Sequence, residues 1–234
     1  MMRIWNTGRA SAAENMAQDA FLLKSLEIDP NPVLHLYDWL TDSATYGHFI
    51  RPEQFFHLDS VDEKGLVLQK RPTGGGVIFH LTDFTFSLAI PSGHPLHFPT
   101  PLQCYSAVNQ IVLDTIQEFL GNGSEVNLLA NQPKSLNENH ENFCMAHPTR
   151  YDVILEGKIG GAAQRRSRHG YLHQGSISIA PPPYSYLEEV LIDGKKITAE
   201  MKKNSQSLLG GPAGPHELNE AKQALCDILT KRLV

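Results

Sequence analysis

Residues 70–80 read Lys-Arg-Pro-Thr-Gly-Gly-Gly-Val-Ile-Phe-His. Gly74, Gly75 and Gly76 separate a basic pair from an apolar run that ends in His80. Glycine reaches φ > 0 and lets other groups come close to the backbone, but it loses more entropy on ordering than alanine does. Either a turn needs that conformation or a ligand needs the space. The flanks say what kind of turn it is. GLVLQKR (65–71) and VIFHL (77–81) both read as strands, so the triplet joins strand to strand. A phosphate-binding P-loop would end in Gly-Lys-Ser/Thr and run into a helix, so that reading fails. A strand–glycine–strand corner can still hold N–H groups open to an anion, with Lys70 and Arg71 adding charge. A tight bend with a solvated basic end is the plainer alternative.

Outward from the triplet, FTFSLAI (84–90) alternates and reads as a further strand, as does VLHLYDWL (33–40). Ser11-Ala-Ala-Glu14 is a capping-box pattern that opens a helix, and Pro30 and Pro32 stop it. Pro101 starts a second helix, with Leu102, Tyr105, Val108, Val112, Ile116 and Phe119 at helical spacing and Gly121 ending it. Residues 130–142 are polar and read as loop. YDVIL (151–155) and YLHQGSISI (171–179) read as strands flanking a basic, glycine-containing segment. YLEEVLI (186–192) fits helix or strand, since Asp193-Gly194 is also a hairpin signal. GGPAGP (210–215) reads as a turn or short linker before a last helix bearing Leu218, Ala221, Leu225, Ile228 and Leu229. Strands mixed with separated helices predict an α+β fold, a mixed sheet packed with helices in one domain over 1–234.

With 234 residues, 41% of them hydrophobic, the chain can build one large core. No run of about 18 apolar residues occurs, and the N-terminus has no signal-peptide h-region. Cys104, Cys144 and Cys226 lack metal-ligand spacing, which points to a reducing cytoplasm. The net charge of −5 argues against general nucleic-acid binding.

Three places could carry chemistry. His80, inside an apolar strand, is either a satisfied core group or a catalyst. In EGKIGGAAQRRSRH (156–169), Lys158 precedes four small residues, Gly160, Gly161, Ala162 and Ala163, and a positive run of Arg165, Arg166, Arg168 and His169. A solvated hairpin does not require four small residues in a row, whereas a close-fitting ligand does. Cys144 sits in a polar stretch with His140 and His147 close in sequence. There a neighbouring cation would make it a nucleophile, and burial would make it inert. Cys104 and Cys226 fall on helix faces.

Taken together the segments resemble the lipoate–protein ligase A family, within the biotin/lipoate ligase and octanoyltransferase group. KRPTGGGVIFH is similar to that family's arginine, Ser/Thr-Gly-Gly-Gly, hydrophobic, histidine signature. YDVILEGKIGGAAQRR is similar to its Gly-Lys, small-residue, Ala-Gln-Arg signature, and YLHQGSISI to its His-Gly-Ser strand. TGRASAAENMAQDAFLL and SATYGHF match its opening segments. The resemblance implies a tunnel for a lipoyl or octanoyl chain, with Gly74, Gly75 and Gly76 against the acyl group. Arg71, His80, the 160–163 segment and His173 would line it. Lys158 would contact the acyl carbonyl and an adenylate phosphate. It implies ATP with Mg²⁺, lipoate or octanoate as substrate, and a lysine of a lipoyl domain as acceptor. Acceptors would be 2-oxoacid dehydrogenase E2 subunits or the glycine cleavage H protein.

That resemblance makes a lipoate–protein ligase the first expectation. Two features pull towards the cysteine-dependent octanoyltransferases of the same group: the short stretch from His80 to Phe86, and Cys144 eight residues before Asp152. There acyl carrier protein would donate octanoyl to a Cys144 thioester without ATP. Gly76 fits the ligases better. A separate accessory subunit, or a binding-only role without turnover, complete the alternatives. The GRGRxxR-like signature of biotin ligases is absent.

Overall fold

Two capped helices frame the fold as the sequence predicts. Ser11 Oγ accepts from Glu14 N, and the Glu14 carboxylate accepts from Ser11 N, opening α1 (Ala12–Ser25). Thr100 and Gln103 form the same box at the start of α3 (Pro101–Leu120). Each box satisfies N–H groups that a helix start leaves without partners. The computed structural model describes residues 1–121, 123–131 and 142–234.

Among the described residues, ten strands form two sheets. The larger runs in the order β1 (Arg3–Ala10), β2 (Val33–Trp39), β6 (Asp83–Pro91), β10 (Gly170–Ser178), β9 (Gly157–Ser167), β8 (Val153–Leu155) and β7 (Asn127–Leu128). β1 and β2 are parallel, and the other neighbours are antiparallel. The smaller sheet has β3 (Ser43–Tyr46) in the centre, parallel to β4 (Val67–Lys70) and antiparallel to β5 (Val77–His80).

One apolar cluster packs Leu34, Phe86, Leu88 and Ile177 of the large sheet under Val108, Val112 and Ile116 of α3 and Leu225 and Leu229 of α6 (Pro215–Leu233). A second packs Ala44, Val77 and Phe79 of the small sheet against Val61 of α2 (Leu58–Lys64), Leu187 and Val190 of α4 (Tyr184–Val190), and Ile197 and Met201 of α5 (Gly194–Asn204). Apolar residues recurring on one helix face and on alternate strand positions build both layers. Among the described residues no helix is long and apolar enough to cross a membrane.

Two local readings change. The basic, glycine-containing segment is not a link between strands but most of β9 itself, eleven residues long and paired along β10. Residues 184–190 are helix, and Asp193-Gly194 opens α5 rather than a hairpin.

Candidate active site

β9 begins at Gly157, pressed so closely on residue 205 that a Cβ would lie 2.8 Å from the Ser205 carbonyl carbon. The next residue, Lys158, has its carbonyl bound by Gln206 N at 2.8 Å and its side chain sealed at 2% exposure. Its Nζ donates to Asp152 Oδ2 at 2.7 Å and to Cys144 Sγ at 3.2 Å.

Asp152 is held in turn. Its Oδ2 accepts from Thr149 N at 2.6 Å and Thr149 Oγ1 at 3.0 Å, and its Oδ1 accepts from the Tyr105 hydroxyl. Tyr105, one turn into α3, itself receives Ala162 N–H at 3.0 Å. Asn109 Nδ2 donates to Tyr151 O at 2.7 Å, holding Tyr151 at φ 68°, an uncommon angle for a side-chain-bearing residue. Burial alone would lower the lysine's pKa, but the charges of Cys144 and Asp152 outweigh it and raise it above the ordinary value. Lys158 is therefore an ammonium. Burial and the neighbouring Asp152 likewise push Tyr105 up, so it remains a phenol that donates.

Cys144 is half-buried, and the glycine triplet fixes it. Val77 N donates to Asn142 O at 2.6 Å, and Cys144 N donates to Val77 O at 2.9 Å, so residues 142–144 run as a short parallel partner of β5. A Cβ on Gly76 would lie 2.1 Å from Asn142 O. The third glycine thus makes room for the cysteine segment while also standing in the slot wall. Gly75, at φ 85°, turns the corner. A Cβ on Gly74 would meet nothing within 4 Å, and Gly74 lies outside the slot wall.

The slot itself is narrow, with a volume of about 50 Å³, and runs between the two sheets. The large sheet contributes Tyr37, Trp39, Gly161, Ala162 and Ala163. The small sheet and its turn contribute Ile78, His80, Gly75, Gly76 and Arg71, and Cys144 opens onto it. Arg71 is saturated by carbonyls: Nη1 reaches Thr45 O at 2.9 Å, and Nη2 reaches Gly74 O at 2.9 Å and Gly76 O at 2.7 Å. Burial lowers its pKa to about 10, against the opposing charges of Cys144 and Tyr37. His80 stacks on Trp39 with centroids 3.9 Å apart, and bonds Thr45 Oγ1 at 2.8 Å and Asp83 Oδ2 at 2.9 Å. It is a satisfied wall group. Burial would push the Asp83 carboxyl up, but His80 and Ser176 more than reverse this and hold it low.

Besides Gly74, two expected lining residues lie elsewhere. Successive strand residues face opposite sides, so Gln174 lines the slot while His173 faces α3. His173 is fully buried between Phe86 and Tyr105, with ring centroids at 6.2 and 5.8 Å. Gln164 Nε2 donates to its Nδ1 at 2.9 Å, and burial lowers its pKa to about 3. Gly160 faces Val112 and Val153 in the core. The basic run also serves the scaffold: Arg165 donates to Pro72 O, Arg166 to Phe98 O and Pro99 O, and Arg168 pairs with Glu27. His140 lies outside the described residues.

Sequence reasoning missed Asp152 as the partner of the lysine and Tyr105 as the partner of Asp152. It also missed a buried chain in which Thr73 Oγ1 donates to Gln174 Oε1 and Gln174 Nε2 donates to Asp19 Oδ2, tying the glycine turn to α1. Among the described residues, no group of three or more His, Cys, Asp or Glu gathers to hold a metal ion. An adenylate phosphate would have to compete for cations already engaged, Arg71 by carbonyls and Lys158 by Asp152 and Cys144.

A largely apolar slot between sheets, with a buried ammonium against a cysteine at its wall, suits an enzyme that handles acyl chains. The family described as the lipoyl protein ligase A/B catalytic domain matches residues 11–222, and the chain belongs to that family of lipoate ligases and octanoyltransferases. The chain is 30% identical over 215 residues to the octanoyltransferase LipM of Staphylococcus epidermidis, covering 87% of this chain and 76% of that protein. It is 32% identical over 185 residues to LipM of Staphylococcus aureus, covering 76% and 66%. In fold it is similar to the bipartite lipoate protein ligase of Thermoplasma acidophilum, studied with its E2 lipoyl domain. There the TM-score is 0.70 at 21% identity, over 99% of this chain and 83% of that one. A lipoate–protein ligase A bound with ATP gives 0.64 at 19% identity, over 98% and 85%.

Proposed function

We propose that the protein is an octanoyl (or lipoyl) transferase working through a Cys144 thioester, the alternative to the ATP-dependent ligase first expected. The observation that carries this is the 3.2 Å contact from Lys158 Nζ to Cys144 Sγ inside a sealed pair with Asp152. A ligase needs no cysteine there, whereas a thioester route needs a thiolate with a cation beside it. The resemblance to LipM octanoyltransferases supports the same reading.

The chemistry follows from the pair. Cys144 Sγ attacks the thioester carbonyl of the donor, octanoyl on acyl carrier protein. The new C–S bond forms as the carrier's C–S bond breaks, and the cysteine's proton ends on the departing carrier thiol. Lys158 stabilises first the thiolate and then the developing oxyanion. The neutral ε-amine of a lysine on a lipoyl domain next attacks the Cys144 thioester. An amide forms, and the proton lost by nitrogen returns the cysteine to a thiol. The slot's largely apolar lining disfavours water beside the thioester, which gives the amine time to attack.

Intact-mass measurement of the pure protein tests this. Octanoyl-acyl carrier protein should add one octanoyl group, absent in Cys144→Ala, and a lipoyl domain should then discharge it. If lipoate with ATP and Mg²⁺ instead modifies the lipoyl domain, and Cys144→Ala retains that activity, the ligase reading replaces this one.

A further inference from the structure

A second cavity, of about 210 Å³, adjoins the slot. Ile78 and Ser176 line both. Its wall also includes residues next to each member of the catalytic pair. Met145, beside Cys144 in the chain, lines it, and so do Ser205 and Gln206, whose backbone pairs with Lys158. The acyl chain needs one side of the thioester carbonyl and the slot supplies it. The leaving arm of the donor needs the other side.

The lining of this second cavity is that of a receptor for amides and hydroxyls. Ser178, Ser207 and Thr82 join Ser205 and Gln206 as uncharged hydrogen-bonding side chains, beside apolar Phe79, Pro181 and Pro182 and the Asp83 carboxylate, whose Oδ2 is already bound by His80, Thr85 and Ser176. One cation stands in the wall, Lys202 of α5. Its side chain is 51% exposed, its Nζ lies over the Tyr184 ring at 4.7 Å, and Glu188 is 3.8 Å away. α5 buries Gly194, Ile197, Thr198 and Met201 and leaves Lys195, Lys196, Lys202 and Lys203 exposed, with Lys202 at the cavity wall.

We infer that this cavity seats the phosphopantetheine arm of an acidic acyl-carrier domain, with Lys202 meeting the arm's phosphodiester and the lysines of α5 meeting the carrier. A phosphopantetheine arm has a thioester at one end, two amides and a hydroxyl along its length, and a phosphodiester at the other end. The cavity wall holds a neighbour of the cysteine, uncharged hydrogen-bonding groups, a carboxylate already occupied by His80 and Ser176, and an ammonium. An ammonium is a strong partner for phosphate, and surface lysines speed encounter with an acidic partner. The inference rests on the acyl-transfer reading and extends it to how the donor docks.

The test is the initial rate of acyl-Cys144 formation from octanoyl-acyl carrier protein in the wild type, Lys202→Glu and Ser178→Trp, the last to fill the cavity. Alkylation of Cys144 by iodoacetamide serves as a control on the pair. Both variants should raise KM on the order of tenfold with kcat and alkylation nearly unchanged, the signature of lost binding rather than lost chemistry. Raised salt should weaken wild type towards Lys202→Glu. An unchanged KM in both variants overturns the assignment, as does a parallel fall in alkylation. So does slowing confined to the discharge of preformed acyl-enzyme by a lipoyl domain, which would give the cavity to the acceptor. A wild-type protein that forms no acyl-Cys144 at all would sink the transfer reading itself, a result distinct from those three.

Discussion

A Cβ on Gly161 would lie 2.6 Å from Lys158 Cε and 2.8 Å from its Nζ, so the lysine occupies the space that this glycine leaves open. Asp152 Oδ1 stands 3.0 Å from the same point and closes the remaining room. Gly161→Ala should therefore push Nζ off Cys144 without removing a single catalytic atom. Displacing a catalytic group by about 1 Å costs on the order of 100-fold in rate. Single-turnover acyl transfer should fall by that much while the fold persists by circular dichroism. Full activity in the variant would show that Lys158 need not touch the sulfur.

The glycine triplet gives a contrast between neighbours. Gly76→Ala places a Cβ against Asn142 O and must break the bonds that hold Asn142 and Cys144 to Val77. Gly74→Ala meets nothing and has no positive φ to strain it. Transfer should drop about 100-fold in the first and stay near wild type in the second, measured under the same single-turnover conditions. Equal losses in both would mean the whole triplet faces the acyl chain, as the family resemblance implies.

Much of this arrangement can be read from residues, and the remainder has a physical reason for staying hidden. The strands at 33–40 and 84–90 show themselves by alternation, the helix at 12 by its capping box, and the helix at 101 by Pro101 and its apolar spacing. β9 hides because Gly160, Gly161, Ala162 and Ala163 have little strand preference of their own; pairing with β10 decides it. α5 hides because GKKITAEMKKN is mostly polar and becomes amphipathic only against Leu187 and Val190. Lys158 and Cys144 are visible as chemistry, but Asp152 is not, since its role depends on a hairpin that brings residue 152 back to residue 158. His173 was placed in the slot by its motif. The register of β10 gives that position to Gln174.

Asp152 and Lys158 form a fully buried pair, and a buried pair behaves differently when one or both members go. Asp152→Asn leaves the Lys158 ammonium without its carboxylate and should cost about 3–5 kcal/mol of stability. Asp152→Asn with Lys158→Met removes the stranded charge and should recover part of that loss, although activity is gone. Urea unfolding of the two variants checks this. A double variant less stable than the single would mean the pair is not what Lys158's burial depends on.

His173 should govern part of the acid sensitivity. Burial holds its pKa at about 3, whereas an unfolded histidine titrates near 6.5. Between those values the unfolded chain binds a proton that the folded chain refuses. Unfolding is therefore favoured as pH falls from about 6.5 towards 3, by at most about 1.4 kcal/mol per pH unit. Above about pH 6.5 the imidazole is neutral in both states and the effect vanishes. His173→Phe keeps a ring between Phe86 and Tyr105 and removes the titrating nitrogen. Its stability, followed by urea midpoints from pH 7 to pH 4, should decline less steeply than that of the wild type. The difference between the two curves isolates His173 from other groups whose protonation differs between the folded and unfolded chain. Parallel curves would mean that the folded protein accepts the proton, and that the ring is not sealed from water in solution.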